Sequence, residues 1–76
     1  MEKAYILVSC EIGTEQELAS KLDAINEVTH VTITYGDYDI VIEAETADAA
    51  KMDELITSKI RKLEKIRSTI TLRVTI

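Results

Sequence analysis

The side chains best suited to chemistry are concentrated in Tyr35-Gly36-Asp37-Tyr38-Asp39, where carboxylates, phenols and backbone amides fall within one short stretch. Carboxylates attract an ammonium, free amides and hydroxyls hold a carboxylate, and phenol rings wall a cavity, so this set suits a small zwitterion. The same residues also describe an ordinary polar turn, since aspartate after glycine is common turn chemistry. His30 and Glu43 form a second candidate, a general acid/base couple directly across a strand pair. As an exposed cross-strand pair they would instead contribute under about 1 kcal/mol to stability and nothing to catalysis. The chain has no nucleophile with a base and an orienting group, no glycine-rich phosphate loop and no His/Cys metal cluster, so catalytic residues, metal ligands and cofactors are not expected. Its one cysteine, Cys10, lies in an apolar run and reads as a small buried hydrophobe.

A hairpin must position these residues. Gly36-Asp37 at the centre of a two-residue type II′ turn would set Tyr35 opposite Tyr38, Ile33 opposite Ile40, Val31 opposite Ile42 and Thr29 opposite Ala44. That register gathers the apolar side chains on one face. It leaves Thr34 with Asp39, Thr32 with Val41 and His30 with Glu43 on the other, in strands over 28–35 and 38–45.

Residues 3–11 are apolar on both alternating sets, the pattern of a central strand covered on both faces. Gly13 breaks that strand, and Thr14-Glu15-Gln16-Glu17 reads as a capping box that opens a helix. Leu18, Leu22 and Ile25, with Ala19 beside them, form its apolar stripe, and its end falls near Ile25 or Asn26. A second helix is expected from Thr46 as N-cap, with Asp48 near the positive end of its dipole and Ala49, Met52, Leu55, Ile56, Ile60 and Leu63 buried. Lys59, Arg61, Lys62 and Lys65 crowd its C-terminal turns, where the dipole favours cations.

The last strand, about Arg67 to Ile76, alternates Ile70, Leu72, Val74 and Ile76 against Thr69, Thr71, Arg73 and Thr75. Its polar set matches the hairpin face carrying Thr32, Thr34, Asp39 and Glu43. A β-α-β-β-α-β order with right-handed crossovers predicts an α+β, ferredoxin-like domain: a four-stranded antiparallel sheet, order 4-1-3-2, with two helices on one face. The other face is then Thr-rich and amphipathic, its apolar part supplied by Val41 and one set of the first strand. A dimer is expected in which two such faces meet.

Size and charge agree with this. A chain of 76 residues buries only about 60–65% of its unfolded surface, and self-association is the simplest way to add stability without disulfides or metals. A net charge of −5 argues against a surface that binds nucleic acid unaided. The start Met-Glu-Lys-Ala-Tyr lacks the features of a secretory signal and no apolar run is long enough to span a bilayer, so a cytoplasmic location with no membrane contact is expected. Proline is absent and glycine occurs only at 13 and 36, leaving no linker or internal boundary.

The run Tyr35-Gly36-Asp37-Tyr38-Asp39-Ile40-Val41, preceded by an apolar strand and a short capped helix, resembles the effector-binding (RAM) domain of the Lrp/AsnC family of feast/famine regulators. Arg67-Ser68-Thr69-Ile70-Thr71-Leu72 matches the last-strand pattern of that family. The resemblance covers residues 1-76 as a single RAM-like domain. It implies a domain that dimerises through its sheet, assembles into rings up to octamers and binds a free amino acid at contacts between dimers.

Carried across, Tyr35, Gly36, Asp37, Tyr38 and Asp39 correspond to the loop that cradles the effector, and Ser68, Thr69 and Thr71 to last-strand residues at or near the pocket. Full-length members carry an N-terminal helix-turn-helix domain and nothing precedes the first strand here. The expectation is therefore a stand-alone sensor that makes no direct DNA contact, partnered by itself or by full-length relatives. Two alternatives share the topology: an ACT-type regulatory module, which pairs edge to edge, and a small dimeric ferredoxin-like enzyme using His30 and Glu43. An acylphosphatase-type activity would need an arginine in the first loop, which here reads Glu11-Ile12-Gly13-Thr14.

Overall fold

The computed structural model describes residues 1–75. The chain forms β1 (Glu2–Cys10), α1 (Glu15–Asp23), β2 (Val28–Ile33), β3 (Ile40–Thr46), α2 (Ala49–Glu54), which runs directly into a π-helical segment (Leu55–Ile60), and β4 (Ile66–Arg73). The strands form one antiparallel sheet in the order β2-β3-β1-β4. This is the βαββαβ, 4-1-3-2 plan. The expectation that Ile76 extends the apolar set of β4 lies outside the described residues.

The core follows the period-two pattern of the two central strands. Ala4, Ile6, Val8 and Cys10 of β1 and Ile40, Ile42 and Ala44 of β3 point at the helices, where Leu18, Leu22, Met52, Leu55 and Ile60 bury themselves against them. Each large aliphatic side chain removed from water here contributes about 1.5–3 kcal/mol, so a one-residue slip of either strand would cost more than the domain's stability.

The hairpin ladder holds the expected register from His30 opposite Glu43 to Ile33 opposite Ile40, then departs from it at both ends. A bulge puts Val28, not Thr29, opposite Ala44. Val28 is thereby buried in the core while the Thr29 hydroxyl turns out and donates to the Glu43 carbonyl at 3.1 Å. At the other end the two-residue turn does not form. The ladder stops at Ile33 and Ile40, and the Thr34 amide, donating to the Asp39 carbonyl at 2.8 Å, closes a wider loop. Gly36 adopts φ +119°, far from the φ of about +60° that the first central residue of a type II′ turn requires.

Both helix starts differ from the expected caps. Thr14 donates its hydroxyl back to the Glu11 carbonyl at 2.6 Å, and it is Glu15, not Glu17, that reaches back, accepting from the Gly13 amide at 2.9 Å. α1 ends at Asp23, with Ile25 half-buried just beyond it. In α2 the N-cap is Asp48, whose carboxylate accepts from the Lys51 amide at 2.8 Å, while Thr46 is buried and its hydroxyl donates to the Asp48 carbonyl. Ala49 therefore falls in the first turn and is exposed rather than buried. The remaining stripe residues keep their inward aspect through the π-helical segment, whose wider turn buries both Leu55 and Ile60.

The largest departure concerns β4. Its register sets Thr71 beside Ile6 and Thr69 beside Val8, on the helix side, and puts Ile70 beside Leu7 and Leu72 beside Tyr5 on the open side. The sequence pattern correctly sorted the two sets but assigned them to the wrong faces. β4 is an edge strand, and its helix-side face lies beyond the buried core, where Arg73 pairs with Asp53 of α2 and Glu2. Hydroxyls and a guanidinium suit that wet margin. The open face consequently carries Tyr5, Leu7, Val41, Ile70 and Leu72, with Tyr5 39%, Ile70 42% and Leu72 51% exposed.

β4 is entered through Lys65, a non-glycine residue at φ +78°. Its carbonyl accepts from the Glu11 amide at 2.9 Å, which holds the strand entry against the end of β1. A side chain in this left-handed conformation carries strain that glycine does not. Lys65→Gly is expected to raise stability by up to about 1 kcal/mol, and Lys65→Val to lower it by at least about 1 kcal/mol, in urea denaturation.

Candidate functional site

The loop of residues 34–39 is fastened to the central strand by one residue acting twice. The Asp39 amide donates to the Val8 carbonyl at 2.9 Å, and the Asp39 carboxylate accepts, through Oδ2, from the Cys10 amide at 2.9 Å. Thr34 closes the loop from within, its hydroxyl donating to the Tyr38 carbonyl at 2.7 Å. The amides of Thr34 and Asp39 are thus engaged, whereas among the described residues those of Tyr35, Gly36, Asp37 and Tyr38 have no protein acceptor.

Beside this loop, against the start of α1, lies an open cleft of about 480 Å³. Glu15 and Asp39 supply its carboxylates, Thr34 and Gln16 its neutral polar groups, and Ile12, Ile33 and Tyr35 its apolar rim. Each carboxylate already accepts one backbone amide, Glu15 from Gly13 and Asp39 from Cys10. The pinned oxygen fixes the group's orientation, which leaves the second oxygen of each free to meet an ammonium. Unpaired loop amides stand ready for an anion. The cleft therefore offers opposite recognition for the two ends of a zwitterion.

Three large apolar side chains at this tip are exposed, Ile12 at 95% and Tyr35 at 105% almost fully and Ile33 at 42% in part. A rim of that kind around a polar cleft is the form of a surface that another body covers.

Of the residues singled out from the sequence, Tyr35, Gly36 and Asp39 line this cleft, while exposed Asp37 and half-buried Tyr38 belong to the loop without lining it. Ser68, Thr69 and Thr71 do not join them. They line a separate cleft of about 480 Å³ between β4 and the end of the π-helical segment. Glu15 and Ile12 were not singled out as site residues. The capping-box reading had already put Glu15 at the start of α1, and the structure adds that its carboxylate is held by the Gly13 amide and lines the same cleft as the loop.

Cys10 is buried, and burial pushes its thiol above the ordinary value, with the negative charge of Asp39 acting in the same direction and a Thr14 hydrogen bond opposing. It remains a neutral thiol, and its contribution to the site is its backbone amide.

The His30 and Glu43 couple does meet, at 3.1 Å between Nδ1 and the carboxylate, on the open sheet face. Glu43 also pairs with Lys3, whose hydrogen bond holds its carboxyl below the usual range. His30 is 76% exposed at its side chain, and no described cleft includes it. The geometry is that of a surface ion network. Among the described residues no cluster of three or more His, Cys, Asp or Glu could hold a metal, and no helix is long and apolar enough to cross a membrane.

A family model described as the Lrp/AsnC ligand binding domain matches residues 3–75. A regulator of the HTH type from Pyrococcus furiosus is 33% identical over 66 residues, which is 87% of this chain and 45% of that protein. This chain thus spans less than half the length of that relative. Among solved structures, a protein of Pyrococcus horikoshii superposes with a TM-score of 0.95 at 37% identity, covering 100% of this chain and 92% of the other. AsnC of E. coli superposes with a TM-score of 0.93 at 25% identity, covering 99% of this chain and 51% of the other.

Asp39 carries structural work as well as a free oxygen. Asp39→Ala leaves the half-buried Cys10 amide without its acceptor and is expected to cost about 1–3 kcal/mol, against well under half of that for Asp39→Asn, which keeps an accepting oxygen. Urea denaturation of the two variants checks this.

Proposed function

The chain belongs to the Lrp/AsnC ligand-binding domain family, and from that premise we propose that it is a non-catalytic sensor which binds a free amino acid in the Asp39 cleft at a contact between subunits. The observation that carries this reading is the pinned pair of carboxylates, Glu15 and Asp39, facing a loop whose amides are unpaired. An α-ammonium would sit against the free carboxylate oxygens and an α-carboxylate against the unpaired loop amides, first those of Tyr35 and Gly36, which line the cleft. The apolar rim of Ile12, Ile33 and Tyr35 would be closed by a neighbouring subunit, which excludes water and strengthens each polar contact.

Assembly begins, in this proposal, at the open sheet face. Tyr5, Leu7, Val41, Ile70 and Leu72 form a connected patch across three strands, and Lys3, Glu43 and His30 flank it. A second copy presenting the same face buries that patch, and dimers joined through their loop tips would build the larger ring in which the cleft is complete. The sensor would act in the cytoplasm on transcription regulators of its own family, among them full-length relatives, with no direct nucleic-acid contact. The relatives' description as transcriptional regulators supports this, as does a net charge of −5.

Light scattering at micromolar concentration is expected to return a mass of at least twice the 8.5 kDa chain. Leu72→Lys, which places a charge in the patch, should shift the mass toward that of one chain. A wild-type protein already at the single-chain mass would remove the sheet-face dimer.

A thermal-shift screen against the twenty amino acids is expected to find a specific ligand that raises the melting temperature by mass action. Tyr35→Ala alters an exposed rim residue whose side chain makes no hydrogen bond to the rest of the fold, so it should leave the unliganded melting temperature unchanged and reduce the ligand-induced rise. If no amino acid stabilises the protein at millimolar concentration, the sensor reading fails.

A further inference from the structure

One row of side chains runs across all four strands on the open sheet face: His30 of β2 stands opposite Glu43 of β3, Glu43 opposite Tyr5 of β1, and Tyr5 opposite Leu72 of β4. The β4 end of the row is apolar and belongs to the patch that a second copy covers in the assembly proposed above. The β2 end is charged. There the Glu43 carboxylate meets Lys3 through Oε1 and His30 Nδ1, at 3.1 Å, through Oε2. Glu45 stands opposite Lys3 on the same face. A copy that buries Tyr5 and Leu72 also comes down on this corner.

The charge of the corner turns on a single proton. Glu43 and Glu45 set two carboxylates against the one ammonium of Lys3, so a negative charge is left over while His30 is neutral and is cancelled when His30 is protonated. The Lys3 hydrogen bond holds the Glu43 carboxyl below its usual range, and Glu43 in turn raises the Lys3 ammonium, so this pair stays ionised wherever a histidine titrates. β4 brings only Ser68, Ile70, Leu72 and Val74 to the open face, none of them charged. On β1, Tyr5 carries the Lys3 ammonium 5.8 Å from its ring centre. Met1 lines a cleft with Lys3 and Glu45, which brings an α-amino group to the same end of the sheet, and such groups titrate near pH 8. His30 is the chain's single histidine, and histidine ordinarily titrates at about pH 6.5.

Two identical faces bring two such corners into one interface. With both histidines neutral, the interface takes in an uncompensated negative charge from each copy, in a setting screened less than open water. With both protonated it takes in none, and each imidazolium offers a second N–H, at Nε2, to the facing copy. Burial taken alone favours the neutral imidazole. Here a carboxylate already stands at Nδ1 and the surplus charge of the corner is negative, so the charge balance outweighs that cost. We propose that His30 is a pH switch on self-association: protonation of its imidazole favours the face-to-face dimer, and loss of the proton loosens it. The switch acts on the sheet-face dimer proposed above and exists only if that dimer does. A dimer that holds the proton more tightly than the separate chains is strongest below the histidine range and weakens as pH rises through it.

The test pairs two measurements on the full chain between about pH 5.5 and 8 at constant ionic strength. NMR follows the imidazole ring protons of His30 in the wild type and in the single-chain variant Leu72→Lys, whose new charge lies three strands away from His30. Sedimentation equilibrium follows the dimer dissociation constant. Half-protonation of His30 is expected at a pH about 0.5 higher in the dimer than in Leu72→Lys. Since the dimer holds a pair of these histidines, that difference corresponds to a dissociation constant about tenfold lower at the acid end of the range than at the alkaline end. His30→Gln keeps a neutral polar side chain at an exposed position and is expected to dimerise with a constant that changes less than about twofold over the same range. A wild-type dimer whose constant does not vary with pH, one that tightens toward the alkaline end, or a His30→Gln variant that keeps the wild-type dependence would overturn the switch and leave the dimer standing. A single-chain mass at every pH would overturn the dimer itself, and the switch with it.

Discussion

The site depends on one side chain's double attachment to the central strand. Asp39 donates its amide to Val8 and accepts the Cys10 amide on its carboxylate, so the loop that precedes β3 is tied to β1 rather than only to its own hairpin partner. A six-residue connection held at its base alone would sample many backbone states, each about 1–2 kcal/mol per residue costly to order on binding. The tie to β1 removes part of that cost before any ligand arrives. It also explains how a loop this wide can present a fixed carboxylate and unpaired amides together.

The sheet imposes a second constraint through its edges. β1 is flanked on both sides and β4 is not, so the same alternating pattern means different things in the two strands. In β1 the helix-side set, Ala4, Ile6, Val8 and Cys10, is buried, while the open-face set adds Tyr5 and Leu7 to the exposed sheet. In β4 the helix-side set is polar because the core ends before reaching it, and the apolar set, Ile70 and Leu72, is turned to the open face. One strand thereby supplies both an apolar patch suited to a second copy and a hydroxyl-lined margin facing Arg61.

Much of this was legible from residue order. The apolar run of residues 3–11, the alternation read over 38–45, the helical stripe of Leu18 and Leu22, and the resulting strand order correspond to β1, β3, α1 and the observed sheet, with strand ends moved by one or two residues. What periodicity does not carry is which face of an edge strand is covered, and there the reading of Thr69 and Thr71 failed. Nor does it reveal a bulge. Thr29 and Val28 are adjacent β-branched residues, and only the extra hydrogen bond to Glu43 decides which of them faces Ala44. Around Gly13 and Thr14 several oxygens compete for few amides, so the identity of the capping group was open until geometry fixed it as Glu15. The loop failed for a related reason: Gly36-Asp37 satisfies a two-residue turn locally, but the stronger bonds from Asp39 to β1 draw the chain into a wider path.

The most direct test is a map of amide chemical shifts on adding the amino acid that most stabilises the protein. An ammonium held by Asp39 and Glu15 must perturb the two amides those carboxylates already accept, Cys10 and Gly13, while a carboxylate held by the loop must perturb Tyr35 through Tyr38. The account predicts saturable shifts at these positions together. Shifts that spare Cys10 and Gly13 and appear elsewhere on the sheet would contradict it.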